Sequence, residues 1–137
     1  MWWAYALLSA FFAALTAIFA KVGIKNVDTD LATAIRTVVI LILAWAIAFF
    51  RGGTNSMMSL TKNNIIFLIL SGIATGFSWI FYFKALQLGK ISQVAPIDKL
   101  SVALAIIFSI IFLGETLTLK TAVGAICIIA GTIIIIL

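Results

Sequence analysis

The sequence contains no histidine, one cysteine, one proline and only four acidic residues among its 137 positions. Without histidine, imidazole catalysis and imidazole metal ligation are excluded. A single cysteine, Cys127, excludes an intrachain disulfide and a CxxC metal site, and its expected role is small apolar packing. No nucleophile with a base and no metal cluster can be assembled, so an enzyme is the least favoured class and no cofactor is expected.

Charge is also scarce, at 9% of residues against 65% hydrophobic residues. A water-soluble core cannot bury that much apolar surface. Apolar stretches of about 20 residues recur, and each is long enough to cross a hydrocarbon layer roughly 30 Å thick as an α-helix. The first of them, "MWWAYALLSAFFAALTAIFA", lacks the basic start and cleavage site of a signal peptide, so we expect it to be a span. The composition predicts an all-α, multi-pass integral membrane protein.

Apolar runs between turn signals predict five transmembrane helices in one domain covering residues 1–137. Their predicted bounds are about 2–21, 31–50, 64–84, 91–113 and 117–137. The second connection, "RGGTNSMMSLTKNN", supplies Gly52 and Gly53 as a helix stop and is the only loop that resembles a linker, and Gly114 bounds the fourth run. The first connection, "KVGIKNVDTD", ends in Asp28, Thr29 and Asp30, which are candidate N-caps for the second helix. Small residues share one face in the third helix, at Gly72 and Gly76, and in the fifth, at Gly124, Cys127 and Gly131. Such faces allow close packing of membrane helices.

The net charge of +5 does not indicate a nucleic-acid partner, because the basic residues are scattered rather than gathered into a stripe. Their distribution between the loops bears on orientation. One side receives three basic residues, Arg51, Lys62 and Lys120, and the other receives four, Lys21, Lys25, Lys84 and Lys90. This weak bias predicts insertion in both orientations and an antiparallel homodimer of ten helices with the inverted-repeat plan of many transporters. The alternative is one orientation set by a partner or by the insertion machinery.

Two charges, Asp98 and Lys99, lie near the middle of the fourth predicted helix. Together they cost about 5 to 7 kcal/mol on the insertion scale, so they need partners or water. Adjacent helical residues point about 100° apart, and we therefore expect the two side chains not to pair with each other. Asp98 shares a small, polar face with Ser101. The nearby Pro96 removes a backbone donor and is expected to kink or loosen the helix.

Polar and aromatic residues on other helices are candidates to meet these charges. The third helix carries a polar face with Trp79 beside it, and the second helix carries Arg36. The polar face comprises Ser71, Thr75, Ser78 and Tyr82. Converging on a midplane charge, such residues would form a small-molecule site whose occupant depends on pairing. If Arg36 pairs with Asp98, an anionic or zwitterionic solute is favoured, whereas pairing of Asp98 with Lys99 of a second chain gives a neutral site. Alternatively, Arg36 reaches the interface, and the serine and threonine hydroxyls bond to carbonyls of their own helices.

Residues 81–135 carry several short motifs in the order of a known repeat. They are the Ala-Leu pair before Gly89, the step Val94-Ala95-Pro96, the run Leu113-Gly114-Glu115 followed by Leu117-Thr118, and the glycines at 124 and 131. Together with Arg36 they resemble the EamA domain of the drug/metabolite transporter superfamily. Most relatives carry two such domains, so the chain resembles the half-size, five-helix branch, which implies dimerisation. The charges at Asp98 and Lys99 depart from the usual ten-helix pattern, and the first helix lacks the acid of small multidrug-resistance proteins.

The resemblance implies a secondary transporter in the cytoplasmic membrane that moves a small organic metabolite by alternating access, in the direction of export. The expected solute is an amino acid, an amine or a related molecule. The predicted solute-binding residues are Asp98, Lys99, Arg36, Trp79, Tyr82 and Ser101. The expected partners are this solute, membrane lipids and a second, antiparallel copy. Alternatives are a multidrug or organic-cation exporter, a non-transporting scaffold and a lipid-handling subunit.

Overall fold

A computed structural model describes residues 1–137 and contains helices but no β-strand. The helices are α1 (Trp2–Gly23), α2 (Thr29–Phe50), α3 (Lys62–Leu88), α4 (Ile91–Asp98), α5 (Leu100–Leu113) and α6 (Leu119–Ile136), with a 3₁₀ helix at Gly53–Ser59. With α4 and α5 taken as one span, Ile91–Leu113, five helices are long and apolar enough to cross a membrane. The prediction of an all-helical, five-span membrane protein is confirmed.

The start of α2 is set by a side-chain cap. Asp28 is extended, and its Oδ1 accepts hydrogen bonds from the backbone N–H groups of Asp30, at 3.0 Å, and Leu31, at 2.9 Å. These bonds satisfy donors that have no partner inside the first turn. Of the three candidate caps in the sequence, Asp28 is therefore the one used, and α2 begins two residues earlier than predicted.

The fourth predicted helix is divided at Lys99, between α4 and α5. Lys99 has a ψ of −8°, and its backbone N–H reaches both Ala95 O, at 3.3 Å, and Pro96 O, at 3.1 Å. A proline inside a helix lacks the N–H that would hold the preceding turn, which is the physical reason for a break here. The Pro96 carbonyl also accepts a hydrogen bond from Thr132 Oγ1 of α6 at 3.2 Å.

Two glycines with left-handed backbone end helices in the loops. Gly114, with φ of 67°, ends α5, and Gly52, with φ of 72°, precedes the 3₁₀ helix that occupies most of the loop predicted as a linker. Left-handed backbone carries little steric cost only where there is no Cβ. After Gly114 the chain runs to Thr118, whose Oγ1 accepts from Thr121 N at 3.2 Å and caps α6.

The chain forms two compact units. Unit 1 comprises Met1–Ile18 and Leu88–Leu137, and unit 2 comprises Phe19–Gln87. In unit 1 the buried residues are Ala17, Val94, Ala103 and Thr132; in unit 2 they are Ile24, Thr29, Thr33, Phe83 and Leu86. The assignment of one domain to residues 1–137 stays a prediction.

In unit 2, the side chains of Gln87 and Lys21 connect the end of α3 to the first loop and to the end of α1. Gln87 Nε2 donates to Val27 O at 2.9 Å and to Ile24 O at 3.4 Å, and Lys21 Nζ donates to Leu86 O. Because these bonds involve the last residues of α3, they explain why this helix continues to Leu88, four residues beyond its predicted end. The contacts hold the loop in place at one end of the unit.

The small-residue faces are not used for packing within the chain. A Cβ placed at Gly72, Gly76, Gly124 or Gly131 would meet no heavy atom within 4 Å. Cys127, on the same face of α6 as two of these glycines, is exposed. The close helix contacts expected at these positions do not form inside the chain, so both faces are open to lipid or to a second chain.

Candidate functional site

Arg36 lies over two aromatic rings in unit 2. Its guanidinium carbon is 4.2 Å from the centre of the Trp79 ring and 5.1 Å from that of Phe83. Trp79 and Phe83 are four residues apart on α3, so a single helix face presents both rings to α2. Both distances fall within the range in which a ring quadrupole attracts a cation. Arg36 is half-buried, so its positive charge lies against two rings of the membrane-spanning helix α3.

No carboxylate neutralises Arg36 inside this unit. The only acids of unit 2 are Asp28 and Asp30, and neither forms an ion pair with it. Asp28 instead caps α2. Aromatic rings attract a cation but carry no net charge, so the guanidinium keeps its full positive charge and its five N–H donors. The site is therefore suited to an anionic group.

A groove of about 430 Å³ lies between α2 and α3 and ends at Trp79. Most of its lining is apolar, and three hydroxyl residues interrupt it. The lining residues are Thr37, Ile40, Leu41, Ala44, Leu68, Ser71, Gly72, Thr75, Gly76 and Trp79. Its volume falls within the range of roughly 300 to 1,000 Å³ that is typical of small-molecule sites. Trp79 lines one end of the groove and carries the guanidinium of Arg36 on its ring, so the charge lies beside one end of a mostly apolar groove.

Two of the three hydroxyl groups that line the groove already donate hydrogen bonds to carbonyls of their own helices. Thr37 Oγ1 donates to Thr33 O at 2.7 Å, and Thr75 Oγ1 donates to Ser71 O at 2.9 Å. In unit 1, Ser109 Oγ likewise donates to Ile106 O at 2.9 Å. For these residues, the interpretation that hydroxyls bond to their own helices is confirmed. The groove thus offers few hydrogen-bond donors to a ligand.

Asp98 and Lys99 form an ion pair with each other in unit 1. Lys99 Nζ lies 3.3 Å from Asp98 Oδ2, with exposures of 57% and 34% for the two side chains. The expectation that these neighbours cannot pair is wrong, because it assumed a continuous helix. The break at Lys99 changes the local backbone, and the long lysine stem folds back to the adjacent carboxylate.

The remaining predicted residues are placed individually. Ser101 lies in the first turn of α5 and is exposed, while Tyr82 is half-buried, with its ring centre 6.4 Å from that of Phe83. The structure therefore brings together Arg36 with Trp79 in unit 2, and Asp98 with Lys99 in unit 1. No group of three or more His, Cys, Asp or Glu side chains is placed to hold a metal ion.

Two features of the site were not predicted from the sequence. Phe83 was not identified as a partner of Arg36, although its spacing of four residues from Trp79 was a readable signal. The groove itself had a partial signal, because Ser71 and Thr75 belong to the polar face predicted on the third helix. No local pattern in α2 marked Thr37 or Ala44 as its opposite wall.

Comparison with known proteins agrees with this architecture. The chain matches the EamA-like transporter family over residues 1–137. It is 49% identical over 133 residues, covering 97% of this chain and 94% of the relative, to a Sinorhizobium sp. protein called an uncharacterized transporter in the cobO 3′ region. An uncharacterized protein of Methanocaldococcus jannaschii is 34% identical over 70 residues, or 51% of each chain. No solved structure matches. The five apolar helices fit a half-size member, and the chain belongs to the EamA-like transporter family.

Proposed function

We propose that the protein is a secondary transporter that moves a small organic metabolite across the cytoplasmic membrane by alternating access, in the direction of export. The observation that carries this proposal is Arg36, held over Trp79 at the end of the α2–α3 groove. Ionisable groups within membrane spans are costly and mark solute or ion pathways. Membership of a transporter family supports the same activity.

The proposed solute is an amino acid, an amine or a related small molecule. In unit 1, Asp98 binds an amine or a proton, and Lys99 binds a carboxylate or neutralises Asp98. In unit 2, Arg36 binds a carboxylate, and Trp79 and Tyr82 form walls beside it. The Asp98–Lys99 pair supports these roles because both side chains remain accessible, at 34% exposed for Asp98 and 57% for Lys99. Each of them can give up its contact with the other and bind a solute instead. Ser101, exposed near this pair in sequence, supplies a hydroxyl.

The working unit we propose is an antiparallel homodimer with ten helices. Two observations support it. The basic residues give little orientation bias between the two sets of loops. The glycine face of α6, at Gly124 and Gly131, is unoccupied within the chain and matches the small-residue surfaces through which membrane helices associate. Such a dimer has the inverted-repeat plan of many transporters, in which alternating access arises when one half moves against the other.

Transport is tested with purified protein in liposomes loaded with unlabelled solute. We expect counterflow of at least one labelled amino acid or amine, and loss of that flux in a folded Asp98→Asn variant. The variant's elution volume and helical circular dichroism serve as the folding control. If no solute of either class moves, or if Asp98→Asn transports as well as the parent chain, the proposed function or the role of Asp98 is contradicted.

Orientation is tested with cysteines introduced singly at each terminus after Cys127 is replaced by serine. Labelling of each terminus from both sides of the membrane supports insertion in both senses. Labelling from one side alone contradicts the antiparallel homodimer. The same preparations show whether lipid remains bound after purification, which would instead favour a lipid-handling subunit.

An organic-cation exporter is the main competing activity. The unpaired guanidinium of Arg36 repels a cation in the α2–α3 groove, and the best ring face nearby, that of Trp79, is already occupied by Arg36. We therefore place this activity second. Counterflow of a quaternary ammonium compound that exceeds every acid or zwitterion tested would reverse this order.

A further inference from the structure

We infer that the α2–α3 groove binds an organic acid, with its carboxylate on Arg36 and an apolar body extending along the groove. This inference rests on the proposed transport function and narrows its solute to a molecule with one carboxylate and a compact hydrocarbon portion. An apolar amino acid satisfies it through its carboxylate; a polyol or a simple amine does not. Three observations support it.

The first is the depth of the charge. Arg36 lies seven residues after Thr29, the first residue of α2, which places it about 10 Å along the helix axis. Arg36 is therefore inside the span and not at its end, and an uncompensated charge within a membrane span is costly. The rings of Trp79 and Phe83 hold the guanidinium in place but accept few of its hydrogen bonds. A carboxylate supplies both the opposite charge and two acceptors matched to the guanidinium fork.

The second observation is the continuity of Arg36 with the groove. Along α2 the lining runs from Thr37, the neighbour of Arg36, to Ala44, a length of about 10 Å. On α3 it runs from Leu68 to Trp79, about 16 Å. Trp79 belongs to both the groove lining and the Arg36 contact, so a ligand anchored at Arg36 can extend its body into the groove of about 430 Å³.

The third observation is the chemistry of the walls. The hydroxyl hydrogens of Thr37 and Thr75 are donated to carbonyls of their own helices, and Ser71 is the one remaining hydroxyl of the lining. The other lining residues are apolar. A body rich in hydroxyls would lose its hydration without regaining equivalent hydrogen bonds, so a hydrocarbon body is favoured.

Two other occupants compete with this assignment: a phospholipid with its phosphate on Arg36, and a helix of a second copy against the Gly72–Gly76 face. The phosphate would neutralise Arg36, and the helix would cover the groove. A small acid would then find no site. This difference makes the assignment testable by direct binding.

The binding assay uses Trp79 as its reporter. The other three tryptophans, Trp2, Trp3 and Trp45, are all more than half exposed, at 81%, 52% and 52%, and replacing them with phenylalanine leaves Trp79 as the only indole. This full-length variant is placed in phosphatidylcholine nanodiscs and titrated with cyclohexylacetate. Cyclohexylacetate has no aromatic ring, so it neither absorbs the excitation light nor adds emission of its own to that of Trp79. Because Trp79 contacts Arg36, carboxylate binding at the guanidinium is expected to change its emission saturably.

Cyclohexylacetamide is the matched neutral ligand, with the same shape and no charge. We expect it to bind about tenfold to a hundredfold more weakly than cyclohexylacetate, the difference typical of a charge-assisted bond. Equal affinity for the two ligands would overturn the inference. A signal that saturates with cyclohexylethylamine but not with the acid would overturn it as well.

Variants locate the site. Arg36→Gln should lose the acid's advantage over the amide, and Arg36→Lys should keep only part of it. Arg51→Gln is the matched control, because it removes the same charge at the end of the same helix, outside the groove. If both arginine variants lower affinity equally, the acid binds through general electrostatics and the inference fails.

A groove variant keeps the test valid if Arg36→Gln does not fold. Ala44 is exposed and lines the far part of the groove, so Ala44→Phe fills it without touching Arg36. We expect about tenfold weaker binding of cyclohexylacetate and unchanged binding of acetate, because each buried CH₂ contributes substantially to apolar affinity. Equal loss for both acids would contradict occupation of the groove by the hydrocarbon.

The same assay separates lipid, a second copy and failure of transport. A saturable change in Trp79 emission on addition of phosphatidylglycerol, which cyclohexylacetate cannot reverse, assigns the groove to lipid and overturns the inference. If cyclohexylacetate produces no saturable change in Trp79 emission in the dimer, the inference is overturned as well. Selective binding of the acid without flux in liposomes leaves the site supported and contradicts the transport function. Flux of amines without binding of the acid contradicts only the inferred solute class.

Discussion

Arg36 and Trp79 are separated by 43 residues in the chain, yet the guanidinium carbon lies 4.2 Å from the centre of the indole ring. This contact joins α2 to α3 and ends the groove between them. It therefore has two consequences at once. The ring helps to stabilise a charge within a membrane span. The charge in turn makes one end of a mostly apolar groove attractive to an anionic group.

Replacing Trp79 with leucine should destabilise the protein, whereas Trp79→Phe should retain most of the stability. Leucine fills space but has no ring quadrupole, and a partly desolvated cation–π contact contributes about 0.5 to 2 kcal/mol. The measurement is unfolding by sodium dodecyl sulfate in mixed micelles, followed by circular dichroism. In an Arg36→Gln background the difference between leucine and phenylalanine should disappear. A difference that persists there would assign it to packing alone.

Replacing Gln87 with leucine should loosen the first loop from the end of α3. The side chain supplies hydrogen bonds to the carbonyls of Val27 and Ile24, and unpaired carbonyls near a buried residue cost about 1 to 3 kcal/mol. Thermal unfolding in detergent measures the loss. Gln93→Leu is the control, since Gln93 is an exposed glutamine on α4. Equal effects of the two substitutions would show that hydrophobicity, not hydrogen bonding, is responsible.

Thr132→Val should weaken the attachment of α6 to the broken helix. Thr132 is buried, and its hydroxyl reaches Ile128 O at 2.8 Å and Pro96 O at 3.2 Å. Valine preserves the shape but removes the donor, so we expect a loss of about 0.5 to 1.5 kcal/mol in the free energy of unfolding. Thr75→Val provides the comparison, because that exposed hydroxyl bonds only within its own helix. The expectation fails if the comparison variant is the less stable one.

Asp28→Ala should lower stability by about 0.5 to 2 kcal/mol, because α2 loses the side chain that accepts its first two hydrogen bonds. Asp28→Asn retains a capping oxygen and should be close to the parent protein. The neighbouring Asp30→Ala removes an acid from the first turn without removing the cap, and a smaller loss is expected from its interaction with the helix dipole. Amide hydrogen exchange of Leu31, whose N–H bonds to Asp28, locates the effect at the cap.

The positions and lengths of the helices could be predicted because they depend on local composition. A run of about 20 apolar residues is sufficient to specify a span. Turn chemistry indicated the loops around Gly52 and Gly114, and the sequence also showed that Pro96 would disturb its helix. The sequence placed Asp28 among three possible caps. Only the backbone geometry distinguished it from its neighbours.

Apolar run lengths are sufficient to specify a five-span helical membrane protein, and the charges at residues 36, 98 and 99 are read directly from the chain. Which groups those charges meet depends on how the helices fold and pack. The pairing of Asp98 with Lys99 depends on a break in the helix, and that of Arg36 with Trp79 and Phe83 depends on the packing of α2 beside α3. In water an amphipathic pattern would have marked the contacting faces. Lipid is as apolar as a protein core, so hydropathy specifies that a helix crosses the membrane but leaves its neighbours to packing and polar contacts.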